Sequence, residues 1–423
     1  MNRRRFLQLG SIAIAGAAGT SVPVQGGQST DWEIWPEQGF LNPCLGALPA
    51  ELANHELVAA AWEGIDPTKT WDSHAHLVGS GDSGSGIWVN PDMESLLHPL
   101  QFAQRAFFQN AGCVRTGKGE GDRSYIERMR ILLAGMPRGH KLMLYAFDAA
   151  YSADGRIDLE HTAFHVTNDY AARVARRDSA IFEWVASIHP YNPDCVAVLD
   201  AAVKAGARAV KWLPSAQGMD PGSPRCDRFY EALARHDLPL ISHAGEERAV
   251  HGVGQQQFGN PLRLRRALEH GVRVVVAHCA SMGYDLDLDR GQNAAPMESF
   301  ALFSRLMEDV RFERLLFGDI SAMTQRKRAG SPLASVIERT DWHGRLLNGS
   351  DYPLPGVMPL YSLEFMVSRG YIPAIAARPL SAIRRHNPLL FDFVLKRHLV
   401  SGGKRLSVPV FETRDFFLNR RRS

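Results

Sequence analysis

The sequence predicts an α/β protein whose body is one (β/α)8 TIM-type barrel, with an extended N-terminal arm and a helical or extended C-terminal tail. Three observations predict it. Eight short apolar runs recur, near residues 70–77, 141–147, 182–189, 207–213, 238–244, 272–278, 315–321 and 345–351. Segments with helical spacing and helical punctuation separate them, as alternating βα units require. The residues best suited to chemistry stand at the far ends of runs one, four, five, six and eight, where the strands of a closed barrel converge on one rim. An open doubly wound sheet is the alternative, and it gives those five runs no reason to bring their ends together.

In chain order, residues 1–22 read as an export signal. Arg3, Arg4 and Arg5 precede Phe6 and Leu7, and a weakly apolar stretch follows from Leu9 to Ala18. This resembles a twin-arginine signal, so passage through that export machinery and a periplasmic location are expected. The stretch is too short for a stable membrane span. Ala13-Ile14-Ala15 and Ala15-Gly16-Ala17 both fit a small-residue cleavage pattern. Residues 23–69 read as an arm, 70–400 as the barrel and 401–423 as a tail. Inside the barrel, Asn192-Pro193 and Asn260-Pro261 each offer a cap followed by proline at a first helical position. Gly206 and Gly271 end those two helices and lead at once into the next strand.

Bulk properties narrow the function. Lys+Arg falls from 48 to 45 once Arg3, Arg4 and Arg5 are removed, against 45 Asp+Glu, so no basic footprint for nucleic acid survives. The basic end from Asn419 to Ser423 reads as a solvated tail. Five widely spaced cysteines support neither a disulfide framework nor a cysteine zinc site. Cys279 is expected on the outward side of a strand. The run Gly79 to Gly86 contains GxGxxG, but no helix opens at its third glycine, and it reads as a mobile loop over the barrel mouth. Asp285 to Gly291 mimics the start of a calcium loop and fails, because glycine falls one place late and position twelve is Pro296. It reads as an acidic loop beside the substrate pocket. No GxSxG elbow is present, which leaves serine hydrolase chemistry unsupported.

The chemistry concentrates in five segments: His74 and His76 in TWDSHAHL, Lys211 in ARAVKWLPS, His243 in LPLISHAGE, His278 in VRVVVAHCAS and Asp351 in RLLNGSDYP. Imidazoles with a late carboxylate are the makings of a buried divalent-metal site. His74 and His76 are two apart on a strand, so both point into the mouth. His189 could reach the mouth or hold structure, and Glu246 and Glu247 could meet substrate or water. Trp88, Trp212, Tyr284 and Tyr352 suggest a partly aromatic pocket.

This ordered set resembles the amidohydrolase superfamily, and more narrowly its amidohydrolase-related branch of metal-dependent hydrolases and decarboxylases. Ile188-His189-Pro190-Tyr191 and Arg385-His386-Asn387-Pro388-Leu389-Leu390-Phe391 add to the likeness, which covers roughly residues 70–400. The resemblance implies a metal held by His74, His76, His243 and Asp351, with one zinc ion favoured over two. It implies Asp351 as the proton acceptor, and His278 as a group that holds the water or polarises a carbonyl. Lys211 either bridges a second metal in carboxylated form or meets the substrate. Hydrolysis of a small ester, lactone or amide is the first expectation. Decarboxylation on the same scaffold is the second, and a non-catalytic ligand-binding barrel is the third. By analogy with other barrels, a homodimer is expected.

Overall fold

The computed structural model describes residues 37–291 and 293–418. The twin-arginine-like segment and the basic end beyond Leu418 lie outside the described residues. Eight strands form a parallel barrel: β1 (Trp71–His76), β2 (Lys141–Tyr145), β3 (Phe182–Val185), β4 (Val210–Trp212), β5 (Leu240–His243), β6 (Val274–Ala277), β7 (Leu316–Asp319) and β8 (Leu346–Leu347). They pair in sequence order as β1-β2-β3 and β4 through β8. A bridge between Ala186 and Val210 joins the two groups, and one between Ala75 and Tyr352 closes the ring. At that closure Ser73 N donates to Asn348 O, and Asp351 N to His74 O at 2.8 Å. The strands read as unbroken apolar runs because both faces are covered.

The helices follow the strands in turn. After β1 come α1 (Pro99–Ala111) and α2 (Gly121–Ala134). The next five strands are followed by α3 (Asn168–Arg177), α4 (Cys195–Lys204), α5 (Asp227–His236), α6 (Arg265–Glu269) and α7 (Ser299–Glu308). After β7 comes α8 (Ser331–Glu338), and α9 (Ala374–His386) and α10 (Pro388–His398) complete the ring. The punctuation acts close to where the sequence puts it. Asn192 Oδ1 accepts from Asp194 N at 2.9 Å, so it caps the turn that leads into α4 and not the helix itself. Asn260 Oδ1 accepts from Leu262 N at 3.0 Å and opens a 3-10 turn ahead of α6. Gly206 and Gly271 take φ of 89° and 77°, a left-handed shape that costs a side chain roughly 1–2 kcal/mol. Among the described residues no helix is long and apolar enough to cross a membrane.

Two apolar layers result. The outer one lies between strands and helices. The inner one fills the barrel floor with Trp71, Met143, Val185, Ala209, Ile241, Val275 and Leu347. Phe417, in the last short helix, joins the floor, and Arg273 Nη1 donates to Phe416 O at 2.8 Å. The C-terminal segment thus closes the end opposite the mouth. Strand β1 solves a parity problem, because Trp71 packs inward but so must His74 and His76. Its register with β2 runs from Asp72 opposite Leu142 to Ala75 opposite Leu144, three residues against two. This extra residue is a β-bulge, and it flips the inward positions from odd to even numbers.

Several expectations are corrected. Cys44 and Cys113 form a disulfide across 69 residues, which no local spacing could signal. The arm brings them together, with Asn42 N donating to Asn110 Oδ1 at the end of α1. The glycine run is tied down: Asp122 accepts from Ser80 N at 2.7 Å and Gly81 N at 3.2 Å, while Asp82 accepts from Gly121 N at 2.8 Å. Trp212 alternates with inward-facing Lys211, so its ring stacks on Phe229 in the outer layer, away from the pocket. Tyr352 is fully buried beside Tyr125. Cys279 lies beyond β6 in a turn, and its thiol donates to Asp319 O.

Candidate metal centre

The mouth of the barrel brings together His74, His76, Lys211, His243, His278 and Asp351. His74, His278 and Asp351 each turn one ligand atom inward, all within 4.8 Å of one another. His76 completes the group, with Nε2 3.3 Å from His74 Nε2 and 3.2 Å from Asp351 Oδ1. His74 Nε2 stands 3.4 Å from Asp351 Oδ1 and His278 Nε2 stands 3.9 Å from Oδ2. His243 sits beside His278 with ring centroids 5.3 Å apart. Its Nε2 is sealed from solvent without a hydrogen bond, 3.4 Å from the Glu247 carboxylate. Lys211 Nζ approaches His74 Nε2 to 3.5 Å.

One residue missed in the sequence organises the rest. Asp319, the last residue of β7, accepts from His74 Nδ1 at 3.0 Å through Oδ2. Its Oδ1 accepts from His278 N at 3.1 Å and Ser321 N at 2.9 Å, and also from the Ser321 hydroxyl. His278 Nδ1 in turn donates to Ser321 O at 3.0 Å. Both imidazoles therefore carry their proton on Nδ1 and present a bare Nε2 lone pair to the centre. The available signal was position: Asp319 lies toward the end of the seventh apolar run, as the other site residues lie toward the ends of theirs.

Electrostatics sharpen this arrangement. Burial pushes His74 down to about 4 and His278 to about 3, so both are neutral at physiological pH. Burial likewise holds His243 well below the usual imidazole range. Burial works to raise Asp351, but His74, His278 and His76 override it and hold the carboxyl well below its ordinary value. Lone pairs and an ionised carboxylate thus face one another at 3.2–3.9 Å with few protons between them. Such an acceptor cluster repels itself unless a cation stands inside it. The donor set of imidazole nitrogen and carboxylate oxygen, in a buried pocket, fits a divalent ion. Lys211 falls to about 8 through burial, against the pull of Asp319, Asp351 and Glu247.

The remaining candidates separate. His189 is structural, its Nδ1 accepting from Tyr191 N at 3.1 Å and its Nε2 meeting Gln217 O at 3.1 Å. Glu246 pairs with Arg248 at the surface, whereas Glu247 turns inward and is buried. The acidic loop after β6 spends its charge on Arg305 and Arg265. Tyr284, 71% exposed, lines a cavity of 640 Å³ that also meets Gly245, Met282 and Lys327.

The amidohydrolase family pattern matches residues 71–373. No curated protein matches the chain. Among solved structures, the chain is similar to an uncharacterised TIM-barrel protein from Bordetella bronchiseptica. That pair is 16% identical over 72% of this chain and 91% of the other, with a TM-score of 0.44. It is also similar to a 4-oxalomesaconate hydratase from Rhodopseudomonas palustris, at 15% identity over 76% and 96%, with a TM-score of 0.40. A third, a 5-carboxyvanillate decarboxylase from Sphingomonas paucimobilis, is 14% identical over 60% and 79%, with a TM-score of 0.36. With the family pattern spanning the barrel from its first strand past its last, the chain belongs to the amidohydrolase family.

Proposed function

We propose that the protein is a metal-dependent hydrolase that cleaves a small ester, lactone or amide at the mouth of the barrel. The observation that carries this reading is the inward-facing acceptor cluster of His74, His76, His278 and Asp351. Of these, His74, His76 and Asp351, together with His243, would hold one divalent ion, zinc being the metal whose ligand preferences they match. Once bound, the ion supplies Lewis acidity and brings a water's pKa to about 7. The rest falls to the chain's own groups. Asp351, held ionised, takes a proton from the attacking water and returns it to the leaving group. His278, with its proton on Nδ1, offers Nε2 as an acceptor, which favours its holding the water over its polarising a carbonyl. Lys211, in a water-poor site, is then the donor placed to meet the developing oxyanion.

Metal content per chain tests this, in the wild type and in His76→Ala and Asp351→Asn. A ratio near one that falls in the His76 variant supports the reading, and a ratio near two assigns Lys211 to a bridge. No metal after repletion sinks it. Released carbon dioxide, in place of water uptake, would move the activity to decarboxylation. We also propose export to the periplasm by the twin-arginine route. The Cys44–Cys113 disulfide supports an oxidising compartment. Replacing Arg3, Arg4 and Arg5 by lysine should leave the protein in the cytoplasmic fraction.

A further inference from the structure

Arg328 is a buried guanidinium whose positive charge has no carboxylate within ion-pairing distance among the described residues. It is 7% exposed. The one hydrogen bond its side chain makes among the described residues runs from Nη1 to Ser281 Oγ at 3.2 Å. Its remaining N–H groups are not among the sealed polar atoms that lack a partner, so they open onto free space. The other buried arginines among the described residues each bond two or more acceptors: Arg128 bonds Leu45 O and His386 O, Arg384 three backbone carbonyls, and Arg273 Asp237 and Phe416 O. A charge buried without a partner is costly, and a fold retains it where a ligand completes it.

Its position says what it completes. Arg328 follows β7, and Ser281, which it touches, lies three residues beyond His278. Its field reaches Glu247 after β5, Asp351 after β8, Asp319 in β7 and the Tyr361 hydroxyl. It also bears on both His243 and His278. The guanidinium therefore stands near the proposed metal centre, in contact with the turn that begins at His278. Its chain neighbour Lys327 lines the 640 Å³ cavity beside it, a volume suited to a small molecule. The carboxylates of Asp319, Asp351 and Glu247 act on both Lys211 and Arg328 without any of them ion-pairing the guanidinium.

We infer that Arg328 is the anchor for a carboxylate on the substrate, so that the molecule turned over is an organic acid whose reacting carbonyl is held toward Asp351 and Lys211. The guanidinium fork matches a carboxylate in two parallel hydrogen bonds, which fixes orientation as well as affinity. This inference rests on the proposed function for the location of the reaction, but it can be tested without it. Acetate, malonate and benzoate, each beside its neutral amide, are titrated calorimetrically into chelator-treated full-length protein, where no metal can bind the acid. Each carboxylate is compared with its amide in wild type, Arg328→Gln and Arg328→Lys, with thermal melting to confirm folding. At least one carboxylate should outbind its amide by about tenfold or more, as a charge-assisted bond predicts. Arg328→Gln should abolish that ratio and Arg328→Lys should keep part of it. Equal binding of every acid and amide, or a preference that survives in Arg328→Gln, overturns the inference. Neither result touches the metal assignment, which metal content decides separately.

Discussion

Replacing Asp319 by asparagine tests the logic of the site most directly, because it removes one charge and keeps the shape. Asp319 Oδ1 accepts two backbone N–H groups, from His278 and Ser321, so an asparagine must leave its carbonyl oxygen there. Its NH2 then occupies the place of Oδ2, 3.0 Å from His74 Nδ1. Two donors cannot share that contact. His74 must move its proton to Nε2, which takes from the centre the lone pair that faces Asp351 and His76. Partners of this kind contribute roughly 10–100-fold to metal affinity, or about 1.4–2.7 kcal/mol. Chelator competition should therefore show zinc affinity reduced by that factor, and nitrogen-15 spectra of the apoprotein should show the His74 proton moved from Nδ1 to Nε2. Zinc affinity within about twofold of wild type, with the His74 tautomer unchanged, would refute the reasoning.

Three further outcomes follow from the fold. Lys396 Nζ donates to Asp392 Oδ2 and to Gly349 O at 2.6 Å each, fully buried behind the loop that carries Asp351. Lys396→Met strands both acceptors and should cost about 3–5 kcal/mol in denaturant unfolding, while adding Asp392→Leu recovers much of it. His140, buried against Trp62 and Thr70, is lowered by desolvation from 6.5 to about 4. Because the folded value is the lower one, its contribution is whole above pH 6.5 and is lost as pH falls toward 4. Wild type should thus lose roughly 3 kcal/mol across that window that His140→Gln does not lose. Reducing the Cys44–Cys113 bond, which closes a span of 69 residues, should lower stability by about 4 kcal/mol in the chain-entropy account, read by unfolding with and without reductant.

The ring of strands was legible because each is an apolar run bounded by turn chemistry, and Val274–Ala277, all apolar, is the plainest case. The site was legible for a related reason: residues at strand ends share a rim whatever their separation in sequence. What stayed hidden depends on pairing across distance. Asp319 follows Gly318 with no motif around it, and only its contacts with His74 and with the His278 amide after β6 reveal its task. Glu246 and Glu247 look alike in sequence, yet one meets solvent and the other His243. The disulfide required the arm to fold back on α1, and the open guanidinium of Arg328 depends on how far the carboxylates of other loops stop short of ion-pairing distance. Trp212 misled for a simple reason: next to an inward lysine, a strand residue must face out.

Backbone strain gathers where the chemistry does. His278, Cys279 and Ala280 take φ of 56°, 50° and 49° in succession, and Ala322 and Asp351 take 56° and 62°. Each left-handed non-glycine residue costs roughly 1–3 kcal/mol and persists only where its surroundings enforce it. Here they do. Asp319 holds the His278 amide, the Ser321 amide and the Ser321 hydroxyl, fastening the turn after β6 to the one after β7. Asp72 accepts from Ser350 N at 2.8 Å and His74 N at 3.1 Å, and Asp351 N donates to His74 O, fastening the turn after β8 to β1. Glycine would adopt the same shapes without strain, but it brings neither an imidazole nor a carboxylate. The bends carry His278 and Asp351 off the ends of their strands and inward to the shared centre, a direction that continued strands would not give them. The same carboxylates that set tautomers and hold amides thus also supply the restraint against which the strain is maintained.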